Sequence, residues 1–77
     1  MNKYRRKDIE KIIKHLEEIK EEINNVCSEE QEYYDNIPEN LQTSEKAENS
    51  QNAISDLENA ECSLDDVIDA LQSAICG

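Results

Sequence analysis

One short segment, residues 33–42, interrupts an otherwise periodic pattern and divides this chain into two arms. The segment has the sequence YYDNIPENLQ and contains Pro38, the only proline among the 77 residues. A proline inside a helix removes a backbone hydrogen bond, and it disfavours the helical conformation of the residue before it, here Ile37. The chain is therefore predicted to form two helices that are joined by a turn over residues 35–43.

The first arm carries apolar residues at the a and d positions of a heptad repeat. Glu30 is the one polar interruption, and Ile13, Cys27 and Tyr34 widen the stripe at the neighbouring position. A stripe of this width is typical of a helix in a bundle rather than of a two-stranded coiled coil. The pattern predicts a helix over about residues 3–34. The residues of the series are Ile9, Ile12, Leu16, Ile19, Ile23, Val26 and Tyr33.

The second arm has a similar series, which Ser50 and Glu61 interrupt, and it predicts a helix over about residues 44–76. Thr43 or Ser44 can cap the start of this helix. A small residue recurs every seven positions beside the series and would let a neighbouring backbone approach closely. The series is Ala47, Ile54, Leu57, Leu64, Ile68, Leu71 and Ile75, and the flanking small residues are Ala53, Ala60, Val67 and Ala74.

A short linker between two helices favours an antiparallel hairpin, so residues 1–77 are predicted to be one all-α, coiled-coil-like domain. A single core in a chain of this size rarely supplies more than about 3–5 kcal/mol, and this chain has neither Trp nor Phe to enlarge it. We therefore expect the hairpin to form a homo-oligomer, as a dimeric four-helix bundle or a larger assembly. The expected oligomer core consists of Ile12, Leu16, Ile19, Ile23, Leu57, Leu64, Ile68 and Leu71.

Charge is distributed unevenly along the chain. Residues 1–20 carry seven basic and four acidic side chains, a local charge of +3, whereas residues 21–77 carry one lysine and fifteen acidic side chains, a local charge of −14. An antiparallel hairpin would bring these two regions together, with Arg5 and Arg6 as candidates for ionic contacts with Asp65 and Asp69. The same geometry predicts an ion pair between Lys20 and Glu61.

The overall composition excludes several classes of function. The formal net charge of −11 argues against direct binding of nucleic acid, which needs a cationic surface, and it favours attraction to a basic protein. His15 is the only histidine, and it lacks the further ligands of a zinc site. The hairpin offers Cys62 or Ser63 across from it, but two helices provide no pocket that excludes water for a catalytic triad. We therefore predict no enzymatic activity, no metal and no cofactor.

Cysteine usage and hydropathy indicate a cellular location. Cys27, Cys62 and Cys76 form an odd set without CxxC spacing, which is typical of reduced thiols, and the antiparallel geometry separates Cys27 from Cys62. The chain begins with charged residues, and no apolar run approaches the length that spans a bilayer. We expect a protein of the cytoplasm that has no contact with membranes.

The turn segment holds most of the side chains that are suited to specific recognition. Amide, carboxylate and phenol groups can all form directional hydrogen bonds, and loops often carry binding sites. Two interpretations are open: the polar groups bind a ligand or partner, or Asn36 and Asn40 satisfy turn backbone groups while Ile37 and Leu41 cap the bundle end. The candidate binding residues are Tyr33, Tyr34, Asp35, Asn36, Asn40 and Gln42.

The stretch from Glu29 to Leu71 resembles small acidic helical proteins of phages and mobile elements of Gram-positive bacteria. The resemblance rests on an acidic helix end, an aromatic residue and a DNIPENLQxS-like turn. It implies an origin and a helical fold, and it transfers no activity. The residues that carry it are Tyr34, Asp35, Asn36, Pro38, Glu39, Asn40, Leu41, Gln42 and Ser44.

Two functions from different classes fit these features. The first is a non-enzymatic binding protein of phage or mobile-element origin that inhibits or sequesters a host component. The component could be a protein of a defence system, or a small nucleotide-like signal bound by the turn together with cations such as Arg5 or Arg6 of a second copy. The alternative is a purely structural coiled-coil module for oligomerisation, or an adaptor.

Overall fold

The computed structural model describes residues 1–76 of the chain, and these residues form a helical hairpin. Helix α1 spans Lys3–Asp35, a 3₁₀ turn follows at Glu39–Leu41, and helix α2 spans Glu45–Cys76. Contacts between the helices join Lys20 to Asp65 and Glu30 to Ser50, so α1 and α2 run antiparallel. The all-α hairpin predicted from the sequence is confirmed. Within residues 1–76, neither helix is both long and apolar enough to cross a lipid bilayer.

Polar side chains occupy the start of each helix, where backbone N–H groups lack partners inside the helix. Asn2 Oδ1 accepts a hydrogen bond from the N–H of Arg5 at 2.9 Å, and Ser44 Oγ accepts one from the N–H of Ala47 at 3.3 Å. Ser44 is therefore the cap of α2, and Thr43 is not. The cap at Asn2 was absent from the sequence analysis, although asparagine is a favoured residue at this position.

The turn satisfies its backbone groups mostly by itself. The carbonyl of Pro38 accepts a hydrogen bond from the N–H of Leu41 at 2.8 Å, and the carbonyl of Leu41 accepts one from the N–H of Ser44 at 3.0 Å. Pro38 has φ −55° and ψ 142°, which its ring allows without strain. Leu41 itself is exposed, so this side chain does not close the end of the hairpin.

The seam between the helices uses a different set of α1 residues from the predicted one. In α1, positions spaced alternately by four and three residues face α2, and the polar Lys20 and Glu30 lie among them. Ile12 and Ile19, which were expected in the oligomer core, lie outside the seam of the single hairpin and are exposed there, so their place in an oligomer stays a prediction. The α1 residues that are buried or half-buried are Ile9, Ile13, Leu16, Lys20, Ile23, Cys27, Glu30 and Tyr34.

The predicted core residues of α2 all lie in the seam. Ile68 is buried, and Leu57, Leu64 and Leu71 are half-buried, as are Leu16 and Ile23 of α1. The buried apolar residues of the described chain are only Ile13, Ala47, Ile54 and Ile68. The hairpin therefore has a narrow core, because two helices in contact can enclose only one line of side chains.

The register of the two helices differs from the predicted one by about one helical turn. Lys20 Nζ pairs with Asp65 Oδ1 at 2.5 Å rather than with Glu61, and Glu61 instead accepts hydrogen bonds from Asn24 Nδ2 at 3.3 and 3.4 Å. The hydrogen bond to Asp65 is the main cause that raises the pKa of Lys20 above its ordinary value. The predicted Lys20–Glu61 ion pair is wrong.

The predicted contacts of Arg5 and Arg6 with Asp65 and Asp69 are also absent within the chain. Among residues 1–76, Lys20 and Asp65 form the only ion pair within 4 Å. At the observed register Asp69 lies opposite residue 16, which is about 16 Å along α1 from Arg5 at 1.5 Å per residue. The basic start of α1 is therefore not neutralised by these acidic residues of α2.

The cap of α2 gives a first test of this structure. Ser44→Ala is expected to lower the free energy of unfolding by about 1 kcal/mol, because the N–H of Ala47 loses its acceptor. Urea denaturation followed by circular dichroism at one fixed protein concentration measures the change. Thr43→Ala is the matched control and should change stability by less than about 0.5 kcal/mol. A larger loss of stability for Thr43→Ala than for Ser44→Ala would mean that Thr43 caps α2 and would contradict the observed cap.

The register gives a second test, through double-mutant cycles. We expect the coupling between Lys20 and Asp65, measured with Lys20→Met and Asp65→Asn, to exceed the coupling between Lys20 and Glu61, measured with Glu61→Gln. The reason is the direct Nζ–Oδ1 contact, which Glu61 lacks. Stability to urea is measured for each single and double variant. A stronger coupling to Glu61 would support the register predicted from the sequence and contradict the observed one.

Candidate functional site

Two of the six candidate residues of the turn segment are engaged by contacts within the chain. The hydroxyl of Tyr34 accepts a hydrogen bond from Gln51 Nε2 at 2.7 Å, which ties the end of α1 to α2. Asp35 Oδ1 accepts a hydrogen bond from Gln31 Nε2 at 3.0 Å, one helical turn earlier. These side chains support the hairpin, which agrees with the structural interpretation of the segment.

The other four candidate residues lie at the end of α1 and along the turn. The backbone N–H of Asn36 donates to the carbonyl of Glu32 at 3.1 Å and ends α1. Asn40 is exposed in the 3₁₀ turn, and Gln42 is half-buried at its end. Tyr33 is exposed and lies next to Tyr34 in sequence, so the two rings point to different sides of α1. The binding role predicted for these residues stays a prediction.

Two shallow concavities lie along the helices, and neither includes a turn residue. The first is lined by Lys11, Lys14, His15 and Glu18, all from α1. The second lies at the helix pair and is lined by Glu17, Lys20, Glu21, Asn24 and Glu61. In residues 1–76 no three His, Cys, Asp or Glu side chains are grouped closely enough to hold a metal ion.

The three thiols are free and differ in their surroundings. Cys62 and Cys76 are exposed, whereas Cys27 lies half-buried in the seam. Desolvation raises the pKa of the Cys27 thiol, and the negative charges of Glu58 and Glu61 add to this effect. A raised pKa reduces the thiolate fraction at neutral pH, so Cys27 has the environment of a structural thiol rather than of a nucleophile.

The two sides of the hairpin that flank the seam differ in chemistry. Lys20, Asn24 and Tyr34 of α1 form hydrogen bonds to residues of α2 along one edge of the seam. We name this edge of the hairpin the polar side. On the other side of the seam, the bordering residues are those that come one position before a seam residue in the sequence, such as Ile12 before Ile13 on α1 and Val67 before Ile68 on α2. Because the two helices are antiparallel and face each other, residues with this same offset from the seam lie on the same side of the hairpin.

The side opposite the polar side is apolar along its length. On α1, large residues follow one another at intervals of seven positions, and on α2 the corresponding residues are mostly alanine. At the observed register each large residue of α1 lies beside a small residue of α2. We name this surface the apolar side, and it consists of Ile12, Ile19, Val26 and Tyr33 of α1 with Ala53, Ala60, Val67 and Ala74 of α2.

Solvent reaches much of this apolar side. Ile12 is 48% exposed, Ile19 41%, Val26 51%, Tyr33 47% and Val67 45%. Isolated exposed apolar side chains are ordinary, but a continuous line of them marks an interaction surface. Covering the exposed half of one such side chain is worth about 1 kcal/mol. The arrangement therefore offers a surface that another helical surface can cover.

In the sequence, Ile12, Ile19, Val26 and Tyr33 share one heptad series with residues of the seam, so they were not recognised as a separate surface. Their strict spacing of seven is the signal that distinguishes them from the seam, whose residues alternate between spacings of four and three. The flanking series of small residues on α2 was noticed, but its position on the same side as this line depends on the observed rotation of α1.

The role of the two adjacent tyrosines can be tested by removing one hydroxyl at a time. Tyr34→Phe should lower the free energy of unfolding by about 1 kcal/mol, because Gln51 loses its acceptor. Tyr33→Phe is the matched control and should leave stability nearly unchanged, since the structure gives its hydroxyl no partner. Urea denaturation measures both. Equal losses of stability for the two variants would mean that the hydrogen bond between Tyr34 and Gln51 does not stabilise the hairpin.

Comparison of the chain with models of known protein families, with curated proteins and with solved structures finds no match. The resemblance to small acidic phage proteins, which rests on the turn segment, stays a prediction.

Proposed function

We propose that this protein is a non-enzymatic binding protein that engages a protein partner through the apolar side of the hairpin. The observation that carries this proposal is the exposed line of Ile12, Ile19, Val26 and Tyr33 on α1. Partner helices commonly recognise one another through apolar residues at such spacings, with the apolar face of one helix lying in a groove of another. No part of this mode requires a catalytic group or a cofactor.

Charged residues border the apolar side and indicate which kind of partner surface would bind there. The outward neighbours of the line on α1 include Asp8, Glu22 and Glu29, and Asp56 borders the corresponding line on α2; all four are exposed. Charges at the edge of an interface mainly govern the association rate and the choice of partner. The protein is therefore suited to a target whose apolar surface is surrounded by basic residues.

The biological role that we propose follows from this chemistry and from the turn segment. A phage or mobile-element protein of this kind would act inside a bacterial host by occupying the interaction surface of a host protein, for example one used in defence. A nucleotide-like ligand at the turn has less support, because Tyr34 and Asp35 already serve the hairpin. The alternative function, a structural module for oligomerisation, would use the same apolar side only for copies of this chain.

Paired variants with equal added charge test the proposed function. Ile19→Glu combined with Val26→Glu places two carboxylates on the apolar side, and Asn25→Glu combined with Ser28→Glu places two on the outer surface of α1. Each tagged variant is used to capture proteins from a lysate of Gram-positive bacteria, with circular dichroism to verify helicity. We expect captured host proteins to be reduced at least about tenfold for the first pair and to be retained for the second.

The turn provides the opposing outcome. Asn36→Ala combined with Asn40→Ala should retain the captured proteins, because neither side chain belongs to the apolar side. Loss of host proteins with the turn variant, together with their retention by Ile19→Glu/Val26→Glu, would contradict the proposal and restore the turn as the binding site. Recovery of this chain alone would favour the structural module.

A further inference from the structure

The line of α1 residues on the apolar side continues to Arg5, which precedes Ile12 by seven positions. Arg5 is exposed, and within residues 1–76 it takes part in no ion pair. Helix α1 ends at Asp35, two residues after Tyr33, and the acidic turn with Glu39 and Asn40 follows. The line of four apolar side chains therefore lies between a cation at one end and an acidic turn at the other.

Charge is distributed unevenly along the whole hairpin, with the acidic end at the turn. Residues 21–59, the half that contains the turn, carry eleven acidic residues and one lysine, a charge of −10. The remaining residues form the open half and carry seven basic and eight acidic residues, a charge of −1. Every basic residue except Lys46 thus lies in the open half. A partner with the same uneven charge must therefore place its acidic half over the open half, where the lysines and arginines make the repulsion weakest.

A second copy of this chain is such a partner. We propose that two hairpins pack through their apolar sides with the turn of each copy over the open half of the other. This inference rests on the proposed function, because it takes the apolar side as the binding surface; a second copy and a host protein then compete for that surface. The resulting assembly is a four-helix bundle with two-fold symmetry, in which α1 lies antiparallel to the partner's α1.

Only two symmetric arrangements bring the apolar sides of two hairpins face to face along their full length. The turns lie either together or at opposite ends. Both arrangements cover the same apolar residues, so hydrophobic burial alone does not choose between them. With the turns together, two halves of charge −10 lie within a helix diameter of each other, which is close to the Debye length of about 8–10 Å. With the turns at opposite ends, each acidic half faces the lysines and arginines of the other copy.

Residues of α1 meet in a definite order in the opposed arrangement. Ile19 faces the partner's Val26, and Ile12 faces the partner's Tyr33. Arg5 then reaches the partner's Asn40, beside the acidic turn. Two-fold symmetry repeats each contact, so every arginine–turn contact occurs twice. On the other half of the interface, the alanines of α2 allow the two α2 backbones to approach closely.

The dimensions of the hairpin are sufficient for a stable dimer. The molecule measures 59 × 15 × 12 Å, so one broad side covers on the order of 900 Å². Stable protein interfaces bury about 800 Å² on each partner. The narrow intrachain core would gain a second layer of apolar contacts from the dimer, which a chain of this length needs.

Sedimentation equilibrium of charge variants tests the proposed pairing. Arg5→Glu should raise the dimer dissociation constant about tenfold or more, because an attractive contact becomes repulsive at two places. Lys7→Glu is the matched control, with the same charge change on the outer surface of α1, and should raise it less than about threefold. Arg5→Glu combined with Glu39→Arg should restore most of the affinity. A monomeric wild-type chain at about 100 μM, or equal effects of Arg5→Glu and Lys7→Glu, would overturn the proposal.

The orientation is tested by a distance between spin labels at residue 40. The label is attached to Asn40→Cys in a chain with Cys27→Ala, Cys62→Ser and Cys76→Ser, after circular dichroism has verified its helicity. Opposed turns place the two labels about 50 Å apart, since the 35 residues from position 5 to position 40 span that length at about 1.5 Å each. A distance under about 25 Å would place the turns together and overturn the proposed arrangement. Capture of host proteins is measured separately, so the inference can fail while the proposed function stands.

Discussion

The seam between α1 and α2 determines which surfaces of this chain remain available for anything else. Its rotation brings two polar side chains of α1 to the boundary with α2, where Lys20 contacts Asp65 and Glu30 accepts a hydrogen bond from Ser50 at 2.8 Å. Buried or half-buried polar groups are costly without partners, so these contacts make the observed rotation acceptable. Once the seam has this rotation, the line of Ile12 and its equivalents is left on the outside.

A two-helix hairpin cannot use all of the apolar surface that this sequence provides. Each helix of a pair buries one narrow stripe, whereas both helices here carry stripes that are wide enough for two neighbours. On the polar side, hydrogen bonds and an ion pair join the residues that border the seam. Within residues 1–76, the side chains of the apolar side have no such contacts. The difference between the two sides therefore comes from the sequence, and the apolar side is the one that gains free energy when another surface covers it.

The helices and the turn could be predicted from the sequence, whereas the register and the rotation of the two helices could not. Pro38 and the two heptad series place both helices and the turn, because these signals are local. The register was missed by one turn, since Glu61 and Asp65 are one helical turn apart on α2 and a long, half-buried lysine side chain can reach either of them. The rotation of α1 was missed because Ile9, Leu16 and Ile23 belong both to the predicted seam and to the observed one. The same overlap hid the exposed line of α1, whereas the binding role of the turn residues stays a prediction.

Apart from Glu30 and Asp35, the acidic residues of the turn half take little part in the contacts that hold the hairpin together. Backbone hydrogen bonds from Pro38 to Ser44 close the turn, and Ser44 caps α2 without help from the neighbouring carboxylates. Eleven acidic residues between positions 21 and 59 repel one another in the folded state, so they lower the stability of an isolated hairpin. All the basic residues except Lys46 lie at the far end of the molecule, so the charge of the turn half is not balanced locally. The apolar side runs between these two ends, and a partner bound along it would meet both of them.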